Sequence, residues 1–156
     1  MKDCIFCKIV TREIPTRIIY EDDKHIAFLT PFPNTDGFTV VATKNHSASY
    51  IFDLDDDEYI ELLRFAQKVG KMLDKALGTK RTGLIMEGMG VDHAHVKLIP
   101  LHGIESDKWL AINSNYPKFY EKYPGYIASH NGPKQSQEDQ DKIHKQILAS
   151  VSANLP

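Results

Sequence analysis

His93 and His95 stand two residues apart in the run Asp92-His93-Ala94-His95-Val96-Lys97-Leu98-Ile99-Pro100, and Lys97 follows at the same interval. Polar and apolar residues alternate there with period two, which predicts a strand over 93–99 with one wet and one buried face. His93, His95 and Lys97 then project from one face, about 7 Å apart in succession, while Ala94, Val96 and Leu98 pack on the other. Such a row suits work on phosphate. An imidazole serves as a nucleophile or acid–base group near neutral pH, and an ammonium neutralises phosphate oxygens. A solvated face that happens to hold two histidines would read the same way.

The only cysteines, Cys4 and Cys7, are spaced as CxxC. A disulfide closing so short a loop adds little stability, which leaves a redox dithiol or half of a Zn²⁺ site. A redox CxxC usually opens a helix that follows a buried strand, and no strand precedes Cys4. Metal is the better reading, and it requires further ligands from elsewhere in the chain.

The elements that must position these groups are legible in outline. Arg17–Tyr20 and His25–Leu29 read as short strands around a polar turn, and Pro31, Pro33 and Gly37 open a loop before a third strand over 37–43. Asp55 with Glu58 resembles a capping box, and Tyr59, Leu62, Leu63, Ala66, Val69, Leu73 and Leu77 recur at helical spacing until Gly78 stops the helix. Residues 83–87 form a fourth strand, joined through Gly88-Met89-Gly90 to the histidine strand. Strands, one long helix, then strands again predict an α+β fold: an antiparallel five-stranded sheet with the helix packed on it. The core is placed at 1–104. Residues 105–156, with Trp109, Tyr116, Phe119, Tyr120, Tyr123 and Tyr126 among them, are read as an extension packed on that core and ending in a helix over 138–151.

Nineteen basic and twenty-one acidic residues leave a formal charge of −2. No block of like charge argues for a nucleic-acid polymer as partner, and Asp55–Glu58, the longest acidic cluster, is explained by the helix start. No apolar run reaches membrane-spanning length, and the N-terminus lacks the apolar core of a secretory signal. A cytoplasmic location is expected.

Cys4-Ile5-Phe6-Cys7, the stretch from Pro31-Phe32-Pro33-Asn34 through Phe38-Thr39-Val40-Val41 to Lys44-Asn45-His46, and His93-Ala94-His95 occur in this order and spacing. Together they resemble the histidine triad (HIT) superfamily of nucleotide hydrolases and transferases. The resemblance runs from about Cys4 to Pro100. It implies that His95 attacks the α-phosphate of a nucleotide, forming a covalent nucleotidyl-histidine, and that the carbonyl of His93 fixes its tautomer. It also implies a structural Zn²⁺ held by Cys4, Cys7, His46 and His93, a small nucleotide as substrate, and a homodimer. Base and sugar are expected between Phe6, Ile18 and Phe28, with phosphate near the amides of Gly88-Met89-Gly90.

Three positions depart from the family's pattern. Lys97 replaces the third histidine, or the glutamine of the transferring branches, which contacts the bridging oxygen of the leaving group. Thr30 stands where many members place an aspartate on the ribose, which leaves Asn34 as a substitute, and Met89 stands where many place a hydroxyl donor. Phosphoric anhydrides, whose leaving groups need no proton, suit Lys97 better than phosphoramidates. The departures keep a second class open, a nucleotide-binding or partner-binding module with weakened catalysis. A catalytic Zn²⁺ would need an open coordination position, which four protein ligands do not leave. His25, His102, His130 and His144 are expected on the surface.

Overall fold

A computed structural model of the chain describes residues 3–104, 118–125, 127, 136 and 138. Met1–Trp109 and Leu110–Pro156 form separate units, and every element below belongs to the first. Beyond Glu138, the helix expected over 138–151 falls outside the described residues, as do the packing of the extension, His130 and His144. Strands β1 (Ile18–Glu21), β2 (His25–Leu29), β3 (Thr39–Thr43), β4 (Thr82–Ile85) and β5 (His95–Pro100) make one antiparallel sheet in the order β1-β2-β3-β5-β4. The expected class holds, five antiparallel strands with one long helix. Strand ends move slightly: β4 stops at Ile85 and β5 starts at His95, so His93 lies just before the ladder.

In chain order the helices are α1 (Ile5–Val10) and α2 (Asp56–Leu77), with a single 3₁₀ turn at Ile51–Asp53 between β3 and α2. The cap of α2 is the one its sequence predicts. Asp55 accepts the Glu58 N–H at 2.8 Å, three acidic residues fill the positive end of the helix dipole, and Gly78 ends it at φ 66°. The Glu58 side chain takes the Ser47 hydroxyl instead of closing a capping box. Leu62, Phe65, Ala66, Val69 and Leu73 bury one stripe of α2 against Ala27, Val41, Ala94, Val96 and Leu98 of the sheet.

The opposite face of the sheet corrects the sequence reading. The histidine side of β5 was expected to be wet, yet α1 covers it. Phe6 and Ile9 of α1 bury with Ile26, Phe28, Val40 and Ala42, leaving His93 fully buried and His95 only 4% exposed. A six-residue helix is too short to give a periodic signal, and it persists by packing on the sheet. His25 is corrected too, for it lies on the α2 face of β2 with Ala27. It sits on a strand covered on both faces, 4% exposed, with its Nδ1 3.2 Å from Asp22 and its ring 5.1 Å from that of Phe65. His102 is exposed, as expected, and its Nε2 lies 2.9 Å from the Asp36 carbonyl.

Candidate functional site

The centre of the sheet fixes two imidazoles in opposite senses. Nδ1 of His95 lies 2.7 Å from the carbonyl oxygen of His93. A carbonyl only accepts, so Nδ1 carries the proton and Nε2 keeps its lone pair. Nε2 of His93 lies 2.7 Å from the carbonyl of Thr43, so His93 instead keeps its lone pair on Nδ1. Burial is the leading cause that holds both rings below the ordinary histidine pKa; the bonds to the two carbonyls act weakly the other way. Both rings are therefore neutral near pH 7. Phe6 packs edge-on against both, with centroids 5.7 Å from His93 and 5.3 Å from His95.

The lone pair of His93 points at the cysteines. Its Nδ1 is 3.3 Å from Cys4 Sγ and 3.6 Å from Cys7 Sγ, and Nδ1 of His46 is 3.5 Å from Cys7 Sγ. The ligating atoms of Cys4, Cys7, His46 and His93 all lie within 4.8 Å of one another. Four-coordinate metal–ligand bonds of about 2.0–2.3 Å imply tetrahedron edges of about 3.3–3.8 Å, and the three separations above fall in that range. The donor set fits a metal ion. His93 also shows the second interaction expected of a ligating histidine, its other nitrogen donating to a backbone carbonyl.

One short segment ties this cluster to the loop before β5. The carbonyl of Ser47 accepts the Ala94 N–H at 2.9 Å. Ser49 gives its N–H to Asp92 at 3.1 Å and its hydroxyl to the carbonyl of Gly88 at 2.9 Å. Gly88 has φ 67°, and a Cβ there would stand 2.9 Å from the backbone oxygen of Ser49. Gly88→Ala is accordingly expected to destabilise the protein by about 2 kcal/mol or more, combining left-handed backbone strain with a clash against main chain. Chemical denaturation would measure it. A loss below about 0.5 kcal/mol would mean that the loop relaxes freely.

The loop also carries a residue the sequence reading missed. Lys97 forms an ion pair with Glu87, whose side chain is only 12% exposed against 27% for the lysine. Burial draws the Lys97 pKa down from the ordinary lysine value, and the adjoining carboxylate favours the ammonium. Glu87 escaped notice because residues 83–87 read only as a strand without chemistry, whereas β4 stops at Ile85 and Glu87 lies past its end. The pairing of Ile85 with Lys97 was the available signal, since alternation then sets Glu87 on the Lys97 face.

The remaining site residues fall in two places. Phe6 and Phe28 are buried together with centroids 5.5 Å apart, and Ile18 packs half-buried at the edge of the same cluster. Thr30 accepts the Phe32 N–H at 3.3 Å, and Asn34 is exposed in the same loop. Met89 is 53% exposed, and Gly90 has φ 92°.

A five-stranded antiparallel sheet with two oriented histidines on its centre defines an α+β domain of the histidine-triad type. A HIT domain matches residues 11–104, more than half of the chain, and the protein belongs to that family. An uncharacterized HIT-like protein of Borreliella burgdorferi is 36% identical over 107 residues, 64% of this chain and 76% of that relative. Adenosine 5'-monophosphoramidase HNT1 of Saccharomyces cerevisiae is 29% identical over 134 residues, 83% of this chain and 84% of that enzyme. A HIT family hydrolase from Clostridium thermocellum superposes with a TM-score of 0.59 at 26% identity, over 68% of this chain and 96% of that one. Among the described residues, no helix is long and apolar enough to cross a membrane.

Proposed function

We propose that the protein is a HIT-type nucleotide hydrolase or nucleotidyl transferase acting on phosphoric anhydride bonds, with His95 as nucleophile. The observation that carries this reading is the 2.7 Å bond from His95 Nδ1 to the His93 carbonyl, which leaves a neutral ring with its lone pair on Nε2. That lone pair forms a bond to the α-phosphorus, and the bond from phosphorus to the bridging oxygen breaks with its electrons on the leaving phosphate. Water or another acceptor then attacks the phosphorus, the P–N bond breaks, its electrons return to Nε2, and the acceptor's proton passes to solvent. Charge on the phosphoryl oxygens is met by backbone N–H groups of Gly88, Met89 and Gly90, and Lys97 faces the leaving group. Phe6, Ile18 and Phe28 border the nucleoside, with Thr30 and Asn34 toward the ribose.

In this reading Cys4, Cys7, His46 and His93 hold Zn²⁺. Bound there, the ion supplies structural crosslinking and no open position for water. A cytoplasmic location, a homodimer and a small nucleotide as the only partner class complete the proposal. Burial of His95 beneath Phe6 favours the second reading, a nucleotide-binding module with weakened turnover. Rapid acid quench with an α-³²P-labelled nucleotide separates the two. The proposal expects label on the protein that is absent from His95→Ala; a nucleotide that binds without ever labelling the wild type supports the module.

A further inference from the structure

Glu87 has no role in the mechanism above, yet it is the carboxylate beside Lys97. Its placement follows from the strand register. Lys97 pairs with Val40 on one side and Ile85 on the other, and His95 precedes it on the same face of β5. Glu87 lies two residues beyond Ile85, its side chain nearly closed to water and in ion-pair contact with Lys97. An ammonium held this way has lost much of its rotamer freedom, and the carboxylate beside it favours the charged form against the burial that draws its pKa down.

We propose that Glu87 is a positioning residue that fixes Lys97 as a protonated point charge at the leaving-group end of the site. This rests on the reading of His95 as nucleophile and sets which bonds that nucleophile breaks. A fixed ammonium stabilises a group that departs as an anion. Burial draws the ammonium's pKa down and so eases proton donation, while the paired carboxylate opposes the loss of its charge and holds the proton back from a departing amine. The substrates are therefore nucleoside 5'-phosphates whose leaving oxygen carries off the negative charge, polyphosphates above all. Phosphoramidates are disfavoured, because the broken P–N bond leaves electrons on a nitrogen that must be protonated as it goes.

Three probes test this on the full chain, each prepared with adenosine and with guanosine: the phenyl ester of the nucleoside 5'-phosphate, its 4-nitrophenyl ester, and the 5'-phosphoramidate. Phenolate needs charge stabilisation to depart, and 4-nitrophenolate needs far less. Glu87→Gln is expected to lower kcat on the phenyl ester by about 10–100-fold, with KM changed less than about threefold, and to lower kcat on the 4-nitrophenyl ester by less than about threefold. Lys97→Gln should reproduce that split, and the double variant should be no worse than either single one, because both act through one charge. Wild-type turnover of the phosphoramidate should be at least about 100-fold below that of the phenyl ester.

Equal losses on both esters, losses in KM alone, or additive effects in the double variant would overturn the positioning role, as would rapid phosphoramidate turnover by the wild type. Should Glu87→Gln fail to fold, Glu87→Asp, which keeps the charge but draws it back by one methylene, is expected to show the same split between the two esters in milder form, and equal losses on both esters there would overturn the role. The underlying reading fails in a different way. In that case no burst of 4-nitrophenolate appears, or the burst survives His95→Ala, whatever Glu87 does.

Discussion

Replacing His95 with alanine is expected to reduce turnover by at least about 10³-fold while changing nucleotide affinity less than about threefold. The size of the loss follows from the step removed. Without Nε2 no bond forms to the α-phosphorus, and the remaining backbone donors and Lys97 can only stabilise direct attack by water. Affinity should survive because the residues proposed to border base, sugar and phosphate lie on other elements: Phe6 on α1, Ile18 on β1, Phe28 on β2, and Gly88–Gly90 in the loop before β5. Stability should fall modestly, since the substitution opens a small space beside Phe6 and frees the His93 carbonyl. Single-turnover quench with labelled nucleotide and titration calorimetry on the same preparations measure both quantities. Wild-type rates in the alanine variant would remove His95 from the chemistry; affinity lost in step with turnover would make it a binding residue instead.

How much of this site the sequence displays depends on where each group sits in the pattern. Period-two alternation over 93–99 locates the histidine strand, and the spacing of Leu62, Ala66, Val69 and Leu73 locates α2, because long elements repeat their signal. The strands before the long helix, β1 to β3, follow from β-branched residues bounded by Pro, Gly and acidic turns. What alternation cannot say is whether the polar face is wet. His93 and His95 look solvated in the sequence, and they are buried because six residues of α1 lie across them. That covering depends on contacts between Phe6 and residues some ninety positions away, which no local window contains.

Side-chain pairing is harder to read than side-chain direction. Lys97 is conspicuous as a departure from the histidine-triad pattern, but its meaning changes once Glu87 stands beside it. A lone lysine suggests a free cation for the leaving group, whereas a lysine tied to a shielded carboxylate is a fixed charge. The same holds for His25, which resembles any surface histidine until Asp22 and Phe65 enclose it. Such pairs are set by register and by chain reversal at the end of a strand, and neither is written in residue type. The cysteine–histidine cluster is the opposite case. Cys4 and Cys7 advertise an incomplete donor set, so the sequence itself poses the question of where the other ligands are.

Removing that donor set is expected to have the largest effect on stability. Cys4→Ser, Cys7→Ser or exhaustive chelation should abolish metal binding and lower the melting temperature by about 10 °C or more. An ion at 1,000 times its dissociation constant contributes about 4 kcal/mol to the native state, and each kcal/mol corresponds to about 2–8 °C for a domain of this size. The loss should be local in origin. Cys4 stands at the N-cap position of α1 and Cys7 lies within it, His46 precedes the segment that holds Gly88 and Asp92 through Ser49, and His93 precedes His95 by two residues. One ion would clamp all three segments. Well below the lowered melting temperature, turnover should fall by no more than about 10–100-fold, the range for losing a group that supports the reacting residue without touching substrate. Elemental analysis, calorimetry and initial rates on the serine variants make the comparison. Full loss of turnover in a variant that remains folded would make the ion a participant in the reaction, and unchanged melting with metal retained would mean that these four residues do not hold it.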